Sequence, residues 1–153
     1  MNFGDNMKIT REIDYAFRIM NCLAENFGSP VINGINAHAI SYATCVPVKF
    51  TLKILNKLKS NSLVRSFKGS SGGFELKKNP SEITLLDIIE AVDGPIIINS
   101  CLEENRECSR TDFNKKNCFY YHVFDDISRS ISDKLRKITL DRTIDIQLRK
   151  AEE

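Results

Sequence analysis

Cys101, Cys108 and Cys118 lie in one short polar stretch, spaced C-x6-C-x9-C. Three thiolates are a donor set for a soft metal ion or an iron–sulfur cluster. His122 follows Cys118 by four residues, and three cysteines with one histidine also make a tetrahedral zinc set. The other two cysteines stand apart. Cys22 lies beside the apolar stripe of a first helix and reads as a core thiol, and Cys45 falls in a short turn and reads as packing. A total of five cysteines without a secretory start favours reduced thiols in the cytoplasm over a disulfide scaffold. There is no Cys-x-x-Cys pair, no glycine-rich cofactor motif and no pair of catalytic carboxylates, so the chain does not read as an enzyme.

The thiols need a reason to be there, and the charge distribution suggests one. Residues 1–80 carry eleven Lys and Arg against five Asp and Glu, net +6, whereas residues 81–153 carry eleven against fifteen, net −4. Within 46–80 there are eight basic residues and one acidic residue, Glu75. A patch that basic attracts phosphate through counterion release. No apolar run approaches the roughly 20 residues that span a bilayer, so no membrane partner is expected.

The elements that would carry this chemistry are legible from period and punctuation. Thr10 caps a helix with an apolar stripe of Ile13, Ala16, Phe17, Met20, Leu23, Ala24 and Phe27, stopped by Gly28-Ser29-Pro30. A second helix starts at Asn36 and runs through Ala37, Ala39, Ile40 and Ala43; after the turn Thr44-Cys45-Val46, Pro47 opens a third. Thr51, Ile54, Leu55 and Leu58 form its inner face, while Lys49, Lys53 and Asn56 project outward. Two short helices about a tight turn, the second with a basic outer face, make a helix-turn-helix.

Leu63–Phe67 and Phe74–Lys77 read as strands around the glycine-rich tip Lys68-Gly69-Ser70-Ser71-Gly72-Gly73, a wing able to lie against a phosphate chain. Thr84-Leu85-Leu86-Asp87 opens a further helix with a capping-box pattern, closed by Gly94-Pro95. From about Tyr120 a long helix carries Val123, Ile127, Ile131, Leu135 and Ile138. Its stripe has little partner surface in so small a domain, so pairing with a second copy is expected.

The fold expected is therefore mainly α with a small β-wing. It divides into a loose leader (1–6), a winged helix-turn-helix (7–80), a connecting helix (81–95), a cysteine-bearing loop (96–118), a dimerisation helix (119–140) and a charged, frayed tail (141–153). Val48, Lys49, Phe50 and Lys53 are the expected reading residues for double-stranded DNA. Arg65, Lys68, Ser70, Ser71 and Gly72 are the expected wing contacts.

At this level the chain resembles a known family. Met7-Lys8-Ile9-Thr10 through Tyr15-Ala16, Leu55-x-x-Leu58, Leu63-Val64, the GSSGGFEL wing, Asn79-Pro80, Ile83-Thr84-Leu85 and Ala91-Val92-Asp93-Gly94 are similar, in order and spacing, to the iron–sulfur transcriptional regulators that include IscR and NsrR. The resemblance covers residues 7–140. It implies a cytoplasmic homodimer that reads a pseudo-palindromic operator, with an iron–sulfur cluster in the loop between the connecting and dimerisation helices. Cys101 matches the first cluster cysteine by its distance from Ala91-Val92-Asp93, and Cys108 and Cys118 match the second and third in order. A [2Fe-2S] cluster is favoured over [4Fe-4S], with zinc as the alternative. IscR-like members take their fourth ligand from a histidine soon after the third cysteine, which points to His122. NsrR-like members take a carboxylate from the partner's first helix, which points to Asp14. A cluster-free branch, represented by the cysteine-metabolism repressor CymR, shares the fold and supplies the alternative reading, a repressor controlled by a protein partner.

Overall fold

The structure, a computed structural model, describes residues 9–29, 34–69, 72–103, 108 and 117–144. The leader, Ser70, Ser71, most of the stretch between Cys101 and Cys118, and the end of the tail lie outside them.

α1 (Arg11–Glu25) begins where Thr10 accepts the Ile13 N–H, and its inward stripe includes Ile19, fully buried, between the expected Ala16 and Met20. α2 (Ala37–Thr44) is capped by Asn36, whose side chain accepts from Ala39. α3 (Val48–Ser60) follows Pro47 and buries Thr51, Ile54, Leu55 and Leu58. The turn between α2 and α3 is held by hydroxyls: Ser41 donates to the Val46 carbonyl at 2.6 Å, and buried Thr51 donates toward the same oxygen at 3.2 Å. These bonds satisfy a main-chain acceptor that a tight turn would otherwise leave unpaired.

At the centre of that turn Cys45 adopts the left-handed conformation (φ 54°, ψ 32°), which costs an L-residue roughly 1–2 kcal/mol. The side chain is exposed and its thiol reaches only the Tyr42 carbonyl, at 4.0 Å, so removing it forfeits little. Cys45→Gly is expected to raise the unfolding free energy by about 0.5–1 kcal/mol, the relief of the backbone exceeding the extra freedom of glycine in the unfolded chain. Denaturant titration would show it, and a loss of stability would mean that the thiol contributes a contact.

The wing is a two-stranded antiparallel hairpin, β1 (Val64–Ser66) and β2 (Phe74–Leu76), with Arg65 opposite Glu75. Both strands are shorter than the sequence pattern suggests. The hairpin has a third neighbour that alternation did not reveal: Ile35 exchanges both main-chain bonds with Phe74, at 2.9 and 2.8 Å. Gly34 makes this approach workable. Its φ is +72°, and a Cβ there would lie 2.6 Å from the Phe74 carbonyl oxygen.

α4 (Leu85–Asp93) opens on the expected capping box, Thr84 Oγ1 accepting from Asp87 and the Asp87 carboxylate accepting from the Thr84 N–H. Leu86, Ile88, Ile89, Ala91 and Val92 are buried there, and the helix packs on α1 and α3. A short 3-10 turn, Ser100–Leu102, precedes α5 (Phe119–Arg136) and packs on it.

Two expectations about the C-terminal part need correction. The last helix does not continue to residue 140. It stops at Arg136, and the chain turns back so that Thr139 pairs with Thr84 and Leu140 donates its N–H to Ile83 at 2.8 Å. Nor is the tail frayed at its start. Leu140 is fully buried, residues 140–144 are helical, Ile144 packs on the core, and the Thr143 hydroxyl lies 2.7 Å from Asn21 Oδ1. The stripe of α5 is also divided in its use. Leu135 packs on the chain's own core, whereas Phe119, Tyr120, Val123 and Ile127 are exposed.

Candidate nucleic-acid interface and cysteine site

Two sites have to be placed, the basic face and the thiols. On α3, Lys49 and Lys53 are exposed on the side away from Leu55 and Leu58, and Val48 is half-buried at the helix start. Phe50 is 43% exposed but also packs on Tyr15 of α1, with ring centroids 6.0 Å apart. It therefore helps to seat α3 on α1 as well as facing outward. Lys53 is not a free cation: its ammonium donates to Glu12 of α1. Lys57, half-buried, donates to the other oxygen of Glu12 at 2.8 Å and to the Val92 carbonyl at 2.7 Å. With lysines on both oxygens, Lys53 first and then Lys57, Glu12 is held below the ordinary carboxylate pKa. The anionic form is favoured by folding, so this contribution fades as pH falls through the carboxylate range.

On the wing, Arg65 pairs across the strands with Glu75 and its guanidinium lies 5.5 Å from the Phe67 ring centroid. Lys68 is exposed at the tip. Gly72 has a structural reason to be glycine, since a Cβ there would meet the Phe67 carbonyl oxygen at 2.3 Å. Ser70 and Ser71 are outside the described residues.

The thiols occupy a different face. Cys101 sits in the 3-10 turn that packs on α5, and its N–H is held by Asn99 at 3.0 Å. Cys118 is the N-cap of α5, its sulfur accepting the Tyr121 N–H at 3.4 Å. Cys101, Cys108 and Cys118 are all half-buried and none is in a disulfide. The donor chemistry fits a thiolate-bound group, and the turn bearing Cys101 contacts the helix that Cys118 caps. Within one chain, however, no three His, Cys, Asp or Glu side chains among the described residues converge closely enough to hold a metal ion. His122 is exposed on the first turn of α5, its ring against Tyr121. Asp14 is half-buried on α1 and paired with Arg18 at 2.8 Å. Cys22 behaves as a core thiol, its pKa raised by burial and then by Glu25.

What sequence reading missed is the connection between these two faces. The last turn of α4 offers its carbonyls to α3: Val92 O accepts from Lys57, and Ala91 O accepts from Asn61 at 3.3 Å. Thr10 at the head of α1 donates to Asp93 at 2.7 Å. The segment bearing Cys101 leaves directly from that turn of α4. No local pattern could have shown this, because each bond spans thirty residues or more.

Comparison with known proteins agrees with the architecture. Residues 9–145 match the Rrf2 family, described as iron-dependent transcriptional regulators. An Aquifex aeolicus putative HTH-type transcriptional regulator is 31% identical over 102 residues, 67% of this chain and 69% of that protein. The HTH-type transcriptional regulator IscR of Pectobacterium atrosepticum is 30% identical over 105 residues, 69% of this chain but 61% of the relative. Among solved structures, CymR, the global cysteine regulator of B. subtilis, superposes with a TM-score of 0.69 at 22% identity, covering 92% of this chain and 98% of CymR. At that identity the likeness speaks for the fold, a winged helix. No described helix is long and apolar enough to cross a membrane. The chain belongs to the Rrf2 family of DNA-binding transcriptional regulators, whose members are not enzymes.

Proposed function

We propose that this protein is a homodimeric cytoplasmic regulator whose grip on DNA is set by an iron–sulfur cluster held by Cys101, Cys108 and Cys118. One observation carries the reading: the cysteine-bearing segment springs from the α4 turn whose carbonyls are bonded to Lys57 and Asn61 of α3. Ordering that segment around a bound group would fix the end of α4, and with it the pose of the helix that carries Lys49 and Lys53 to DNA. The cluster supplies a charge and geometry that respond to oxidants, nitric oxide or iron supply. The chain's own residues transmit the difference.

The exposed apolar run Phe119, Tyr120, Val123 and Ile127 on α5 is the surface a second copy would cover. Two copies would place two α3 helices and two wings on a pseudo-palindrome. Val48, Lys49, Phe50 and Lys53 would face the groove, and Arg65, Lys68, Ser70, Ser71 and Gly72 the backbone. The fourth ligand would come from His122 of the same chain or Asp14 of the partner chain, and Asp14 would first have to leave Arg18. A [2Fe-2S] centre is the favoured form.

Anaerobic purification with iron, acid-labile sulfide and zinc assayed per chain tests the reading. Matched iron and sulfide with visible absorption is the expected result. A colourless protein after reconstitution overturns the cluster. It would leave the second reading, a cluster-free or zinc-bound repressor answering to a protein partner.

A further inference from the structure

α3 carries four lysines, Lys49, Lys53, Lys57 and Lys59, and no acidic residue. An acid from another element stands among them. Glu12, in the first turn of α1, accepts from Lys53 with one oxygen and from Lys57 with the other, at 2.8 Å for the latter. The two lysines are not equivalent. Lys57 also donates to Val92 at the end of α4, so it ties α3 to two other helices. Lys53 lies further out, its side chain 53% exposed against 25% for Glu12. A phosphate approaching the outer face of α3 therefore meets Lys53 before Lys57 and finds its ammonium already facing a carboxylate.

We propose that Glu12 is a positioning residue that acts as an internal counter-anion to Lys53, competing with DNA phosphate and lowering the grip of α3. The inference rests on the reading of the outer face of α3 as the DNA-facing one. A paired ammonium contributes less to the long-range field and condenses fewer solution anions. To serve a phosphate, Lys53 must leave Glu12, or the two anions must share it at a cost in repulsion. Either way the native chain realises less of its lysine charge on DNA than its sequence displays. Lys57, anchored by Val92, stays in place when Glu12 is neutralised. Lys53 is the cation that is set free.

The test is a titration of the full-length protein against a labelled mixed-sequence duplex of about 30 base pairs, followed by anisotropy from about 50 to 200 mM salt. Each phosphate neutralised contributes about 0.9 to the slope of log affinity against log salt. Glu12→Gln is expected to steepen that slope by about one per protomer and to tighten binding about fivefold at the low-salt end. Lys53→Met is expected to cost clearly less than one unit of slope in the native background, because Glu12 already shares the ammonium, and to erase the gain when combined with Glu12→Gln.

A Glu12→Gln protein with the native slope overturns the proposal. So does a Lys53→Met protein that loses a full unit of slope in the native background, a measurement that stands even if Glu12→Gln folds poorly. Absent or salt-independent binding by the native chain overturns the DNA-facing reading of α3 itself, and this inference with it.

Discussion

Leu140→Ala is expected to lower the unfolding free energy by about 2–5 kcal/mol, the range for deleting a fully buried leucine side chain. Leu140 has no solvent exposure and belongs to the main core with Ile83, Ile88 and the α1 stripe. Its neighbours on the chain cannot compensate, because the segment is pinned at both sides. Leu85 donates to the Ile138 carbonyl at 2.9 Å, and Leu140 donates to Ile83 at 2.8 Å. With these bonds in place the backbone cannot collapse into the void, so the cavity term is felt in addition to the lost transfer energy. Against a total stability of about 5–15 kcal/mol, a loss of this size is readable as a large shift in denaturant midpoint with little change in slope. The comparison should be made at one protein concentration, since association of copies would add to apparent stability. A loss below about 1 kcal/mol would mean that the return of the chain after α5 is not part of the folded core.

That return explains what the sequence showed and what it hid. The helix-turn-helix was legible because its signals are local. Thr10 and Asn36 are caps, Pro47 opens a helix, and Ile54, Leu55 and Leu58 recur at helical spacing. The spacing from Leu135 to Ile138 likewise continues a helix, and neither glycine nor proline interrupts 136–140. The stop comes from tertiary pairing of Thr139 with Thr84, fifty-five residues away, which outweighs local periodicity. The wing's third neighbour, Ile35, was hidden for the same reason, being a single bridge with no alternating run around it.

The site residues divide along the same line. That Lys49 and Lys53 are cations on a helix and Lys68 a cation on the wing is legible in the sequence. That Lys53 is held by Glu12, and Arg65 by Glu75, depends on side chains brought together by the fold. Their charges in isolation overstate how basic the face is. The thiols were recognisable as a donor set from type and spacing. Cys118 as a helix cap was not, because cysteine is absent from the usual capping residues Ser, Thr, Asp and Asn.

The capping geometry of Cys118 separates two roles of one side chain. Its sulfur accepts from the Tyr121 N–H at 3.4 Å and starts α5, and in the proposed function it is also a cluster ligand. Serine keeps an acceptor at this position and is a strong N-cap, but its hydroxyl is not the soft thiolate donor that a cluster takes. Alanine keeps neither. Cys118→Ser is therefore expected to retain native thermal stability without the cluster, or gain slightly, while losing most reconstituted iron and sulfide. Cys118→Ala is expected to lose the same iron and sulfide and, in addition, about 1 kcal/mol of stability in the cluster-free protein. Measuring iron and sulfide on anaerobically reconstituted protein, and unfolding on the cluster-free form, reads the two roles independently. If Cys118→Ser keeps a full complement of iron and sulfide, Cys118 is a cap and not a ligand. The third sulfur position of the proposed site would then have to be reassigned. If serine and alanine prove equally stable without iron, the contact to Tyr121 contributes nothing to the start of α5. In that case the thiol at position 118 is kept for what it binds.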